Sequence, residues 1–208
     1  MKTIVVQPHK GIGKILFGMS RKEVEEIICE KLTSEYRYEN DDVKCVEVRY
    51  DEYCIDYKDD VVVDIYITNF EKSNVVLNGI DLFYTKAEDI LDSLKLISDY
   101  DCDCEDENLG TTYYFKDLGL ELWRESAYHP KLLNDVGFQR YINENEENLE
   151  YEQRFWYFQQ VKLSNQINFI KQLEKMKPSD WSINENIENK LPTQKELDDI
   201  AKKYGLKK

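Results

Sequence analysis

The sequence predicts an α+β fold: an antiparallel sheet with two capped helices on one face, a duplicated strand–helix–β-meander unit, and a helical C-terminal extension. Three observations predict it. Short runs that alternate apolar and polar residues are separated by tight polar turns. Two Ser/Thr-x-x-Glu sequences precede apolar residues at helical spacing. The order short strand, helix, hairpin occurs twice, with Tyr57-Lys58-Asp59 matched in residue type by Phe115-Lys116-Asp117. Identities between the halves are few, so coincidental α+β alternation stays open as the alternative. The boundaries read as 1–72 for the first repeat, 73–163 for a second that shares or extends the sheet, and 164–208 for the extension.

Thr3 to Val6 is a short strand, followed by a Pro8/Gly11/Gly13 turn and a second run at Ile15-Leu16-Phe17. Ser20 and Glu23 form a capping box for a helix that buries Val24, Ile27, Ile28 and Leu32 and ends near Thr33. Val46 and Val48 alternate with Glu47 and Arg49, Tyr53 to Tyr57 runs into the polar turn Lys58-Asp59-Asp60, and Val61 to Ile67 is a central strand. In the second half, Val75 to Leu77 and Asp81 to Phe83 precede Thr85 and Glu88, a second capping box. Ala87, Ile90, Leu91, Leu94 and Ile97 mark the buried face of its helix. Thr112–Phe115 and Leu120–Trp123 flank a turn. Asn134 to Ile142 reads as a short helix, Asn143 to Gln153 as an exposed acidic loop or helix end, and Arg154 to Leu163 as a strand closing the sheet. Ile167, Ile170, Leu173 and Met176 suit a helix stopped by Pro178. Residues 179–192 read as a linker, and Thr193 with Glu196 caps a last helix that ends at Gly205.

The chain has 208 residues and a net charge of −14. That charge opposes binding to a nucleic-acid backbone or an anionic membrane, where Lys and Arg supply the affinity. A chain this long buries roughly 70% of its unfolded surface, and its aromatic content excludes a disordered chain. No basic n-region with an apolar run opens the sequence, and no apolar stretch approaches the ~20 residues of a membrane span. The five cysteines cannot all pair with one another. The expected setting is a reducing cytoplasm, with Cys29, Cys45 and Cys54 as small buried hydrophobes.

Candidate chemistry is sparse. Gly11, Gly13 and Gly18 lie between a strand and a helix, as in a phosphate-binding loop. Their spacing departs from the dinucleotide pattern, and no Lys-Ser or Lys-Thr follows Gly18. The reading is a structural turn in which Gly18 supplies a φ that other residues resist. Asp99, Asp101, Asp103, Glu105, Asp106 and Glu107 form the densest acidic run. The match to a calcium loop fails at two points: Cys104 stands where a sharp turn needs Gly and Gly110 where a bidentate carboxylate belongs. His9 and His129 do not complete a zinc set of ordinary spacing. No metal and no cofactor are expected. Glu144, Glu146, Glu147, Glu150 and Glu152 form a second patch, and the two patches hold eleven carboxylates. Such patches are either solvated surface or a field that steers a basic partner. Phe155 to Phe158 reads as core, with Trp156 a candidate binding hot spot. Neither His has a nucleophile elbow near it, and no carboxylate pair stands out, so no catalytic residue is assigned.

Gly11 to Ile28, GIGKILFGMSRKEVEEII, resembles the Gly-x-Ile-x-Leu-Gly-Met-Ser/Thr-x-Glu-Glu-Val opening of many small bacterial proteins. Outer-membrane assembly lipoproteins of the SmpA/BamE type have a similar helix start, as do the tandem-repeat β-lactamase inhibitor proteins. Cytoplasmic Firmicutes proteins with this opening also carry a later strand similar to Phe115 to Trp123, and some sit in a toxin-immunity-like context. The likeness spans about thirty residues and implies a strand entering a capped helix. The sequence departs from the lipoproteins in having no lipid-attachment Cys, and from the secreted inhibitors in its cysteine pattern.

The function these observations lead to is a non-catalytic cytoplasmic protein-binding protein, an immunity-type inhibitor of a basic toxin or nuclease. Its partner surface would comprise the residues Asp99 to Glu107 named above, with Glu144, Glu146, Glu147, Glu150 and Trp156. The alternative is a small-ligand protein or enzyme with a pocket between the sheet and the C-terminal helices, lined by Tyr157, Trp156 and His129. A third reading is an orphan domain with no strong ligand.

Overall fold

A computed structural model describes residues 2–28, 30–40, 43–69, 73–145 and 147–165 of the chain. The described residues belong to one compact unit, and residues 166–208 lie outside the description. Among the described residues no helix is long and apolar enough to cross a membrane.

The first stretch contains β1 (Lys2–Gln7), β2 (Gly11–Ile12), β3 (Ile15–Leu16), α1 (Arg21–Ile27), β4 (Ser34–Asn40), β5 (Val43–Arg49), β6 (Tyr53–Lys58) and β7 (Val61–Thr68). The second contains β8 (Ser73–Leu77), β9 (Ile80–Asp81), α2 (Ala87–Leu94), β10 (Tyr100–Cys102), β11 (Thr112–Phe115), β12 (Leu120–Trp123), α3 (Val136–Glu144), α4 (Glu147–Gln153) and β13 (Gln160–Ser164). They build two sheets. The larger is antiparallel, in the order β10-β11-β12-β13-β7-β6-β5-β4. The smaller is β3-β2-β1-β8-β9, in which β1 and β8 run parallel.

Strand alternation gives the large sheet two unlike faces. One row of cross-strand partners runs Phe115, Leu120, Leu163, Ile65, Ile55, Val48, and all six are buried. This face shares a single core with Ile4, Ile12 and Ile15 of the small sheet, Val24 of α1, and Ile90, Leu91 and Leu94 of α2. The opposite face carries the row Tyr114, Glu121, Lys162, Tyr66, Cys54, Arg49.

The hairpin turns follow their residues. Asp59 and Asp60, both at positive φ (51° and 64°), close β6 onto β7 in two residues, a conformation Asp tolerates. Gly18 sits at φ +81°, as its place before α1 leads one to expect. The Ser20–Glu23 box is formed: Glu23 N donates to Ser20 Oγ at 3.4 Å, and Ser20 N to Glu23 Oε2 at 2.8 Å.

Other expectations are corrected. α1 ends at Ile27 rather than near Thr33, because the chain turns extended at Ile28 and gives Ser34 to Asn40 to a strand. Leu32 is therefore exposed. Thr85 does not cap α2. Lys86 occupies the N-cap without a side-chain bond, and Glu88 is drawn away to accept from Trp156 Nε1. The strand at Asp81 to Phe83 stops after Asp81, whose carboxylate accepts from Phe83 N and Tyr84 N and turns the chain. Residues 143–153 contain the helix α4. Arg154 to Trp156 is a 3-10 turn, because Phe155 and Phe158 must both reach the interior. β13 begins only at Gln160 and lies mid-sheet between β12 and β7, where it joins the two stretches instead of closing an edge. Cys45 and Cys54 are half-buried on the polar face of the large sheet and are not core residues. Cys29, Glu146 and the elements expected beyond residue 165 lie outside the described residues.

Candidate interaction surface

The connection between β12 and β13 spans residues 124–159, whereas β6 reaches β7 in two. It holds α3 and α4, neither of which buries a residue. Asp135 caps α3 by accepting from Phe138 N at 2.8 Å. Asn145 accepts from Glu147 N at 3.0 Å at the start of α4. Asn148 Nδ2 donates to Tyr141 O at 2.7 Å, and Tyr141 Oη to Glu152 at 3.3 Å, which fixes the two helices against each other. The outward side chains combine aromatic and acidic groups: Val136, Tyr141 and Tyr151 with Glu144, Glu147 and Glu150. Arg154 stacks its guanidinium 4.1 Å from the Tyr151 ring centre.

The base of this excursion is held by Arg124, only 1% exposed. Its Nε donates to Gly110 O at 2.8 Å, Nη1 to Phe155 O at 3.0 Å, and Nη2 to Asn108 O at 2.9 Å and Tyr113 Oη at 3.2 Å. A guanidinium has five rigid donors, so one side chain bonds three backbone carbonyls on two segments. Desolvation of the charge is offset by those carbonyls rather than by a carboxylate. Gly110 must lack a side chain here, since a Cβ would lie 2.2 Å from Cys102 Sγ. Arg124 thereby joins the acidic loop to the end of the excursion, and Lys131 adds an ion pair to Asp106.

The acidic loop is less bare than its sequence. Asp101 pairs with Lys116, Asp106 with Lys131 and Glu107 with Lys95. The bond from Lys131 holds the Asp106 carboxyl below its ordinary range, and the Tyr100 hydroxyl does the same for Glu107. Asp103 accepts from Thr111 N at 2.8 Å, Thr112 N at 3.2 Å and Thr111 Oγ1. Burial works to raise its pKa, but these bonds together outweigh it and lower it. Asp99 and Glu105 have no ion pair among the described residues. On α3 and α4 the same holds for Glu144, Glu147 and Glu150, so the excursion carries the more available charge.

Trp156 is half-buried, and its polar edge and one face are both engaged. Nε1 donates to Glu88 at 2.6 Å, and Lys86 Nζ lies 3.7 Å from the ring centre. Tyr128 packs edge-on at 5.5 Å. Trp156 ties the excursion to α2. His129 accepts from Lys131 N at 3.2 Å at the start of a 3-10 turn, and His9 sits in the β1–β2 turn at φ +63°. Two cavities stand apart from Trp156, Tyr157 and His129. One of about 410 Å³ is lined by Glu47, Arg49, Cys54, Tyr66 and Gln160 on the polar sheet face. The other, about 450 Å³, is lined by Ile4, Lys14, Ile15, Ile27, Ile28 and Glu30. Among the described residues no cluster of three metal-ligating side chains occurs.

Beside the first cavity lies a buried polar group that alternation alone reads as exposed. Asp56 and Asp64 are cross-strand partners, 5% and 3% exposed. Tyr66 Oη donates to Asp56 Oδ2 at 3.0 Å, and Tyr38 Oη lies at 3.5 Å. Burial first, then the neighbouring Asp64, pushes the Asp56 carboxyl up to about 7. Burial also pushes the Cys54 thiol up to about 12, which makes it a poor nucleophile.

Sequence reasoning named both acidic patches and Trp156, assigned Glu88 to a capping box rather than to Trp156, and passed over Arg124 and Lys86. A lone Arg after a strand carries no pattern, and its role exists only once Gly110 and Phe155 are brought beside it. No family model, curated protein or solved structure matches the chain.

Proposed function

We propose that the chain is a non-catalytic protein-binding protein of the cytoplasm, an immunity-type inhibitor of a basic toxin or nuclease. Its partner surface is the α3–α4 excursion with the acidic loop at its base. One observation carries this reading: two helices with no buried residue present tyrosines together with glutamates that have no ion pair among the described residues. Tyrosine supplies contact area at interface centres, and unpaired acids speed encounter with a basic protein. Insertions on a rigid sheet are where proteins place binding residues.

The proposal includes a tandem duplication. β1, α1 and β4 to β7 correspond in order to β8, α2 and β10 to β13, and β7 meets β13 at the centre of the sheet. In this view the excursion is what the second copy adds to the first.

The test is affinity capture from host-cell lysate at low and moderate salt. The bait is the wild type or a Tyr141→Ala, Tyr151→Ala, Glu147→Gln variant. The expected result is one basic protein retained stoichiometrically by the wild type at moderate salt and lost by the variant. Equal retention by both refutes the assigned surface. Retention of nothing, or only of salt-sensitive ribosomal proteins, refutes the inhibitor reading.

A further inference from the structure

The two edges of the large sheet differ. β10 is three residues long and leads into the Asp103 loop. β4 has seven residues in unbroken register with β5, from Ser34 opposite Arg49 to Asn40 opposite Val43. Among the described residues β5 is its only strand partner, so one side of its backbone offers unpaired donors and acceptors. Proline, lysine and a bulge, three of the means of blunting an edge, are missing from Ser34–Asn40, and its charges, Glu35, Arg37 and Glu39, are of both signs and so can pair across a two-fold. Tyr36 is 65% exposed and stacks on Tyr38 at 6.2 Å.

Charge selects the partner. With a net charge of −14, most of this surface repels a second copy of itself. At β4 the balance differs: Glu35 bonds Arg21 at 2.8 Å and Arg37 at 2.7 Å, and the Arg37 side chain is 77% exposed. Antiparallel self-pairing about Tyr36 sets Tyr36 against Tyr36 and Glu35 against Arg37, twice by symmetry. A shift to Arg37 as centre would oppose the two arginines, which is unfavourable. A centre at Tyr38 would use a half-buried ring whose hydroxyl faces Asp56.

We infer that β4 is a homodimerisation edge, where two copies pair antiparallel about Tyr36 with Glu35 of each opposite the partner's Arg37. The contact is isologous and closes after two copies, so it does not propagate into fibres. It lies on a different element from the α3–α4 excursion and stands independently of the function proposed above.

Sedimentation velocity of the full chain from low micromolar to high micromolar concentration tests it. The expected result is a reversible dimer. Arg37→Glu turns two attractions into two repulsions and raises the dimer dissociation constant roughly tenfold. Its unchanged melting curve would show that the variant folds. Cross-linking tests the register in a Cys104→Ser background. Tyr36→Cys should form a covalent dimer on mild oxidation much faster than Ser34→Cys. A wild type that stays monomeric throughout, an unchanged constant for Arg37→Glu, or equal cross-linking at both positions would each overturn the inference.

Discussion

Arg124 Nη1 donates to the carbonyl oxygen of Phe155 at 3.0 Å, joining the residue after β12 to the last turn before β13. The excursion thus leaves and returns at one fixed point. That geometry holds two helices that fully bury no residue of their own, with Phe138, Ile142 and Leu149 half-buried beneath them.

Replacing Arg124 by Leu removes its bonds to the carbonyls of Gly110, Phe155 and Asn108, of which Gly110 O keeps Tyr113 Oη and Phe155 O keeps Tyr128 N. The expected loss of stability is about 2 kcal/mol, from the lost hydrogen bonds of the buried guanidinium. Arg124→Lys recovers only part of it, because an ammonium on a flexible stem cannot reproduce the fork. Urea unfolding monitored by circular dichroism measures both.

Asp56 gives a pH dependence of defined sign. Its folded pKa, about 7, lies above its unfolded value, so the protonated form is favoured by folding. This contribution is fully present below about pH 4 and is lost as pH rises through about 7. Asp56→Asn keeps an acceptor for Tyr66 without the charge. The variant's urea midpoint should exceed that of the wild type at about pH 8, with the difference shrinking towards about pH 4. A constant difference across that range would refute the assignment.

The two helix starts make a paired prediction. Ser20→Ala removes a formed capping box and should cost about 1 kcal/mol. Thr85→Ala removes no cap and should stay within about 0.5 kcal/mol of the wild type. The same unfolding curves decide it, and equal effects would contradict the difference in capping.

Thiol chemistry separates the cysteines. Cys104 is exposed, whereas Cys54 is half-buried with its thiol pushed up to about 12. Reaction with an aromatic disulfide reagent at about pH 8 should lose its fast phase in Cys104→Ser and keep it in Cys54→Ser.

The meander, both helices and the Phe115-Lys116-Asp117 hairpin were legible because period and turn chemistry agree there. Val48, Ile55 and Ile65, with the half-buried Val46, mark the core face by alternation, and Asp59-Asp60 names its turn. β4 was missed because Ser-Glu-Tyr-Arg-Tyr-Glu-Asn contains no aliphatic residue and follows a helix whose apolar spacing appears to run on to Leu32. Thr85 misled because a capping box is a local pattern, and Trp156, distant in sequence, claims Glu88. Asp56 and Asp64 look like solvated positions in an alternating strand. Their burial is a property of the assembled sheet. The acidic loop was visible as composition, but Lys95, Lys116 and Lys131, which neutralise half of its six carboxylates, are brought there only by folding.

The partner surface proposed for a basic protein is the α3–α4 excursion. Hydrogen–deuterium exchange of the chain alone, and in complex with the basic protein it retains from lysate, addresses it directly. Slowed exchange is expected across residues 136–153 and in the loop at 103–110, with little change at β4. Protection confined to other segments, with 136–153 exchanging as fast as in the free chain, would contradict it.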